Sequence, residues 1–224
     1  MESKYKKYVV VSSLIITLSI FSAGFLIGKY LDSYRFTDVV DTMRESEINT
    51  ESYVVEQQFI EKFGGGSCEL LRPRLIELSR DLSTLGQSLT LYESGAMLLN
   101  ERDYDYLKRR YFVLEARTYM YELNAKNTCG DNRTLILFFY SGQNEVPSIK
   151  QGYVLDDMFR EYKNNISIHS FDINFQNSTI TDILEKYYNI SEAPTLVIND
   201  KVIKKGFVDM KELDMIMRND NMPR

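Results

Sequence analysis

The 224 residues predict an α/β domain of element order β-α-β-α-β-β-α, preceded by an all-α antiparallel helical hairpin and one N-terminal transmembrane helix. Three observations lead there. Residues 193–207 read as a β-hairpin followed by a closing helix. Leucines from Leu71 to Leu89 step alternately by four and three, the spacing of a helix seam. Residues 9–28 contain no charged side chain at all.

The first eight residues carry Lys4, Lys6 and Lys7 and read as a cytoplasmic tail. The charge-free run 9–28 is about the length an α-helix needs to cross a bilayer of roughly 30 Å. Tyr5 and Tyr8 at one end and Tyr30 and Tyr34 at the other suit the membrane interfaces. The alternative is a cleaved signal peptide; the run is longer than a usual apolar signal core, and no A-x-A pattern precedes Lys29. The lysines favour an inside N-terminus. Lys29 and Arg35 on the far flank are accompanied by Asp32, Asp38 and Asp41. The expectation is a single-pass cell-membrane protein with its C-terminal bulk extracytoplasmic. Residues 29–66 read as a juxtamembrane helical segment, with Asn49 or Thr50 capping a helix that carries Val55, Phe59 and Phe63 on one face. Gly64-Gly65-Gly66 is a break rather than a phosphate loop, since no lysine follows and no strand precedes.

Residues 67–130 form the hairpin. Leu71, Leu75, Leu78, Leu82, Leu85, Leu89 and Tyr92 line one helix; Tyr104, Leu107, Tyr111, Leu114, Thr118, Tyr121 and Ala125 line the next; residues 93–100 break the pattern. Two heptad-patterned helices with a short connection make a coiled-coil-like antiparallel pair. A parallel homodimeric coiled coil is the alternative, and the short connection speaks against it. Pro73 implies that the first helix starts at Arg72 or kinks there. Cys68 and Cys129 flank the pair, and their midpoint falls inside the break, so folding there brings both to one end. A disulfide closing that loop would stabilise by about 4 kcal/mol in the chain-entropy model and requires an oxidising compartment. Two unrelated free thiols are the other reading.

From Arg133 the pattern becomes alternating. Thr134–Tyr140 is a continuous apolar run, hence a central strand. A loop through Ser141–Pro147 leads to a helix opening at Pro147 or Ser148 and running to about Lys163. Ile166–Ile173 is a strand, and Thr179–Tyr188 a helix capped by Ser178 or Thr179. Ala193-Pro194-Thr195-Leu196-Val197-Ile198 then starts a strand just after a proline. Asn199-Asp200 is a turn pair, Val202–Lys205 a second strand, Gly206 its end, and Met210–Met217 a helix capped by Asp209.

Over residues 133–218 this order, with Ala-Pro-Thr-Leu before the hairpin, resembles the C-terminal part of the thioredoxin fold. The layout as a whole is similar to uncharacterised archaeal membrane-anchored thioredoxin-like proteins. The resemblance implies that Pro194 is cis and lines a groove beside the loop after the first strand. In the family that loop carries Cys-x-x-Cys at a helix N-terminus, which lowers the first thiol's pKa. Here Glu145 and Ser148 occupy the cysteine positions, Phe139 stands where many thioredoxins bury an acid, and no cysteine follows Cys129. Neither Glu145 nor Ser148 can exchange disulfides.

Composition narrows the rest. A net charge of −5 gives no broad basic surface for nucleic acid. Two distant cysteines exclude a CxxC pair and a multi-cysteine zinc site, and one histidine excludes a two-histidine metal centre. His169 has no titratable partner in its strand and reads as structural; the acid pairs Asp103/Asp105 and Asp156/Asp157 read as solvated. Four Asn-x-Ser/Thr tripeptides, at Asn132, Asn165, Asn177 and Asn189, are compatible with an exterior location. The expected function is a membrane-anchored, extracytoplasmic thioredoxin-like module that binds a protein or peptide, without catalytic residues, cofactor or metal. The alternatives are a thiol oxidoreductase using Cys68 and Cys129, and a structural subunit of a membrane complex.

Overall fold

The computed structural model describes residues 12–27, 52, 54, 55, 58, 68–95, 101–142, 145–176 and 178–220. The chain divides into two compact units, residues 1–64 and 65–224. In the first, residues 12–27 form a helix, α1, whose side chains are all exposed, Leu14, Ile20, Phe21 and Phe25 among them. Residues 52, 54, 55 and 58 are helical too. Among the described residues no helix is long and apolar enough to cross a membrane; the two ends of the 9–28 run, the tail 1–8 and most of 29–66 lie outside them.

The second unit opens with α2 (Cys68–Glu93) and α3 (Glu101–Cys129). The leucine seam is buried where the two helices meet, with Leu71, Leu75, Leu78 and Leu89 facing Leu114, Tyr121 and Ala125. Helix α2 begins at Cys68, not at Arg72, and Pro73 lies inside it. Proline removes only the bond to the Glu69 carbonyl. The disulfide at Cys68 and the buried Leu71 hold that first turn in place. Gly130, at φ +66°, ends α3 in the left-handed conformation that favours glycine.

The remaining elements are β1 (Thr134–Tyr140), α4 (Val146–Tyr162), a 3-10 turn (Lys163–Asn165), β2 (Ile166–Asp172), α5 (Thr179–Tyr188), β3 (Thr195–Ile198), β4 (Val202–Lys205) and α6 (Met210–Asp220). The sheet order is β2-β1-β3-β4, with β1 and β2 parallel and the other pairs antiparallel. Both faces of β1 are covered, which is why it reads as an unbroken apolar run. Ile136 and Phe138 point to a core shared with Leu155 and Met158 of α4 and Leu213 and Met217 of α6. Leu135, Leu137 and Phe139 point to the other, shared with Phe112, Ala116 and Tyr119 of α3 and Tyr188 of α5. Helix α3 is therefore buried on two sides. It is a partner of α2 and also a layer of the α/β/α sandwich, so the expectation of a coiled-coil-like pair gives way to a helix packed on the sheet.

Local signals set the turns. Asn199 and Asp200, the central pair of the turn closed by the Lys201 N–H on the Ile198 carbonyl, both have positive φ, +51° and +59°, within a three-residue connection that ends at Val202. Asn199 is buried and brackets Leu135: its side-chain oxygen accepts the Leu135 N–H at 2.9 Å and its own N–H donates to the Leu135 carbonyl at 2.8 Å. Ser178 caps α5 by accepting the Thr181 N–H, and Asp209 caps α6 by accepting the Glu212 N–H at 2.9 Å.

Candidate functional site

The antiparallel register pairing Phe139 with Thr195 puts Pro194 abreast of Tyr140, at the end of β1 from which the 141–145 loop leaves. The Ala193–Pro194 peptide bond is cis. Pro194 is buried and its carbonyl accepts the Gly206 N–H at 2.8 Å, which brings exposed Phe207 to the same end. Across the loop, Glu145 is the N-terminal flanking residue of α4 and gives it no side-chain cap. Val146 follows, exposed. Ser148 is buried, and its hydroxyl oxygen accepts the Ser141 N–H at 3.1 Å. No sulfur stands in this loop; Phe139 is wholly buried and stacks on Phe171 at 5.7 Å between ring centres.

The same end is braced by a buried ion pair. Asp172, at the end of β2, accepts the backbone N–H groups of Gly142 and Asn174 on one oxygen and the Lys108 ammonium, at 3.1 Å, on the other. The ammonium also donates to Tyr104 Oη at 3.0 Å, and Tyr104 donates to Glu93. Burial alone would lower the pKa of Lys108; Tyr104 and Asp172 outweigh it and raise it, so the amine stays a cation rather than a base.

Cys68 and Cys129 form a disulfide, with Cα atoms 5.6 Å apart. It borders a 710 Å³ cavity with Arg133, Asn164 and Asn165, at the end of the sheet where β1 and β2 begin. Pro194 sits at the opposite end. A strand of this length separates them by roughly 20 Å at about 3.3 Å per residue.

The sequence reading missed one cluster. His169 is buried and does have titratable partners: its Nδ1 lies 2.6 Å from Glu115 and its Nε2 2.8 Å from Glu122, both on α3. Glu122 also meets the Arg133 guanidinium at 3.0 Å, and Arg133 forks onto Asp131. Burial disfavours the imidazolium, but the two carboxylates outweigh it and push the His169 pKa up to about 9. Glu122 is likewise held below the usual carboxylate range: burial would raise it, and His169 and Arg133 more than offset that. The signal was present in the sequence. Lys108, Glu115 and Glu122 are seven residues apart, hence on one helix face, a charged row beside the apolar seam. The structure pairs that row with Asp172 and His169 along β2. Every member is partnered, so the row fixes the register of α3 on the sheet. Asp156 and Asp157 are exposed on α4, as expected.

No family model matches the chain and no curated protein matches it. Among solved structures, chloroplastic thioredoxin z aligns at 18% identity and TM-score 0.35, over 44% of this chain and 86% of that one. Thioredoxin O2 from Arabidopsis thaliana aligns at 19% and 0.34, over 48% and 90%. The germline-specific thioredoxin Deadhead from Drosophila melanogaster aligns at 15% and 0.31, over 46% and 94%. With its mixed four-stranded sheet, helices on both faces and the connections given above, the α/β part of this chain has a thioredoxin-like fold.

Proposed function

We propose that this is a membrane-anchored, extracytoplasmic thioredoxin-like module that binds an extended protein segment beside Pro194 and performs no dithiol chemistry. Residues 9–28 serve as the anchor, with residues 1–8 inside. The observation that carries the reading is the loop after β1: it has no thiol, and the Ser148 hydroxyl is buried and engaged by the Ser141 N–H. Exposed Val146 and Phe207 border the same end of the sheet and offer apolar contact to a bound chain. The Cys68–Cys129 pair lies at the far end, where it clamps the helical hairpin.

One disulfide-exchange measurement on three proteins tests the chemistry. The wild type and the Cys68→Ser/Cys129→Ser variant are expected to be silent towards insulin. Glu145→Cys/Ser148→Cys is expected to gain activity, because α4 still presents a helix N-terminus to the new thiol. Wild-type turnover that disappears in Cys68→Ser/Cys129→Ser would overturn the reading in favour of the oxidoreductase. For binding, peptides selected on the chain should lose affinity in Phe207→Glu and Val146→Glu.

A further inference from the structure

Strand β2 lies at one edge of the sheet, with β1 on its inner side only. The Ile173 N–H donates to the Tyr140 carbonyl at 2.9 Å. In a parallel ladder alternate residues turn their backbone groups to opposite sides, so Phe171, His169 and Ser167 face β1. The N–H and C=O groups of Ile168 and Ser170 then face outward. They open into a groove of about 800 Å³ whose floor is Ser167–Ser170 and whose walls are α2 and α4. The α2 wall mixes the small residues Ser83, Gly86 and Thr90 with Leu82, Gln87 and Leu91; the α4 wall presents Gly152, Asp156 and exposed Phe159.

We propose that the outer edge of β2 accepts an extended basic segment of a partner protein as an added strand. This is a second site, independent of the one beside Pro194. Two observations specify the occupant. The outward strand groups of Ile168 and Ser170, without a partner among the described residues, call for an extended backbone, the one conformation that presents N–H and C=O groups at matching spacing. The charge of the lining calls for a cation. Among the described residues it contains Glu115, Glu122, Asp156 and the cationic His169 but no Lys or Arg. Glu115 and Glu122 are committed to His169, whereas Asp156 is exposed and has no ion partner among the described residues. Pairing of β2 with the β2 of a second copy cannot fill the groove, because that edge is recessed between the same two walls.

The test uses the full chain in detergent micelles. Free in solution, the amides of Ile168 and Ser170 should exchange with deuterium faster than those of His169 and Phe171. Ten-residue peptides selected from a random displayed library should be enriched in Lys or Arg and should slow exchange at Ile168 and Ser170. Ser170→Pro removes one outward N–H and spares the ladder to β1. Gly86→Leu fills the groove from α2, where a Cβ meets only Tyr111 at an ordinary 3.6 Å. Each should weaken those peptides at least tenfold, as should Asp156→Lys, while Phe207→Glu leaves them bound. Gly86→Leu decides the matter if Ser170→Pro fails to fold. Slow exchange at Ile168 and Ser170 in the free chain would mean that the chain covers its own edge and would overturn the proposal. So would failure to enrich any peptide, or binding that survives Gly86→Leu.

Discussion

His169 is the only histidine in the chain, so its protonation can be followed without overlap. Its environment predicts a specific pH dependence of stability. In the folded chain the imidazolium is held by Glu115 and Glu122 and its pKa lies near 9; in an unfolded chain it returns to its ordinary value of 6.5. The folded state therefore binds the proton more tightly. Its contribution is complete below pH 6.5 and is lost as pH rises through 9. At 1.36 kcal/mol per tenfold change in proton affinity, the difference amounts to about 3 kcal/mol. Tyrosines and lysines ordinarily titrate near 10 and above, so the window between is largely this residue's own. Two measurements check it. Imidazole ¹⁵N shifts of the folded chain should titrate near 9, and urea midpoints should fall steadily from pH 6.5 to 9. His169→Gln removes the slope and, by leaving buried Glu115 without its cation and Glu122 with Arg133 alone, costs about 3 to 5 kcal/mol at neutral pH. An imidazole that titrates near 6.5 in the folded protein, or a flat urea midpoint across the window, would refute the reasoning.

The other expectations follow from single contacts. Cys68→Ser with Cys129→Ser should lower stability by about 4 kcal/mol, the chain-entropy value for a loop of this length; equal urea midpoints with and without reductant in the wild type would show that the clamp contributes nothing. Asn199→Ala should cost about 2 kcal/mol, since it strands the buried Leu135 N–H and puts alanine at positive φ; thermal melts read it directly. A cysteine placed at exposed Lys201, in the β3–β4 turn, should react with a membrane-impermeant reagent in intact cells, and labelling only after lysis would reverse the proposed orientation.

The α/β elements were legible because their signals are local. Thr134–Tyr140 is apolar on both faces, Ser178 and Asp209 are caps, and Asn199-Asp200 suits positive φ; each of these is decided within a few residues. The seam of α2 and α3 was legible by periodicity for the same reason. What could not be read were facts that depend on a third element. Helix α3 keeps its leucine-side period while burying a second face, Phe112, Ala116 and Tyr119, against the sheet, and one seam does not reveal the other. His169 appeared isolated because its partners are 54 and 47 residues away in sequence. Proline at position 73 argued for a helix start, and tertiary burial of Leu71 together with the disulfide overrode that propensity.

The disulfide has a mechanical consequence. Tension applied through the residues before Cys68 does not have to run along α2 and back along α3. It crosses from sulfur to sulfur and reaches β1 within five residues, from Cys129 to Thr134. The hairpin hangs beside the load path as a closed loop, and the sheet bears the force. In a pulling experiment between the two termini, the oxidised chain should extend about 200 Å less than the reduced one, the contour of the shielded loop at about 3.4 Å per residue.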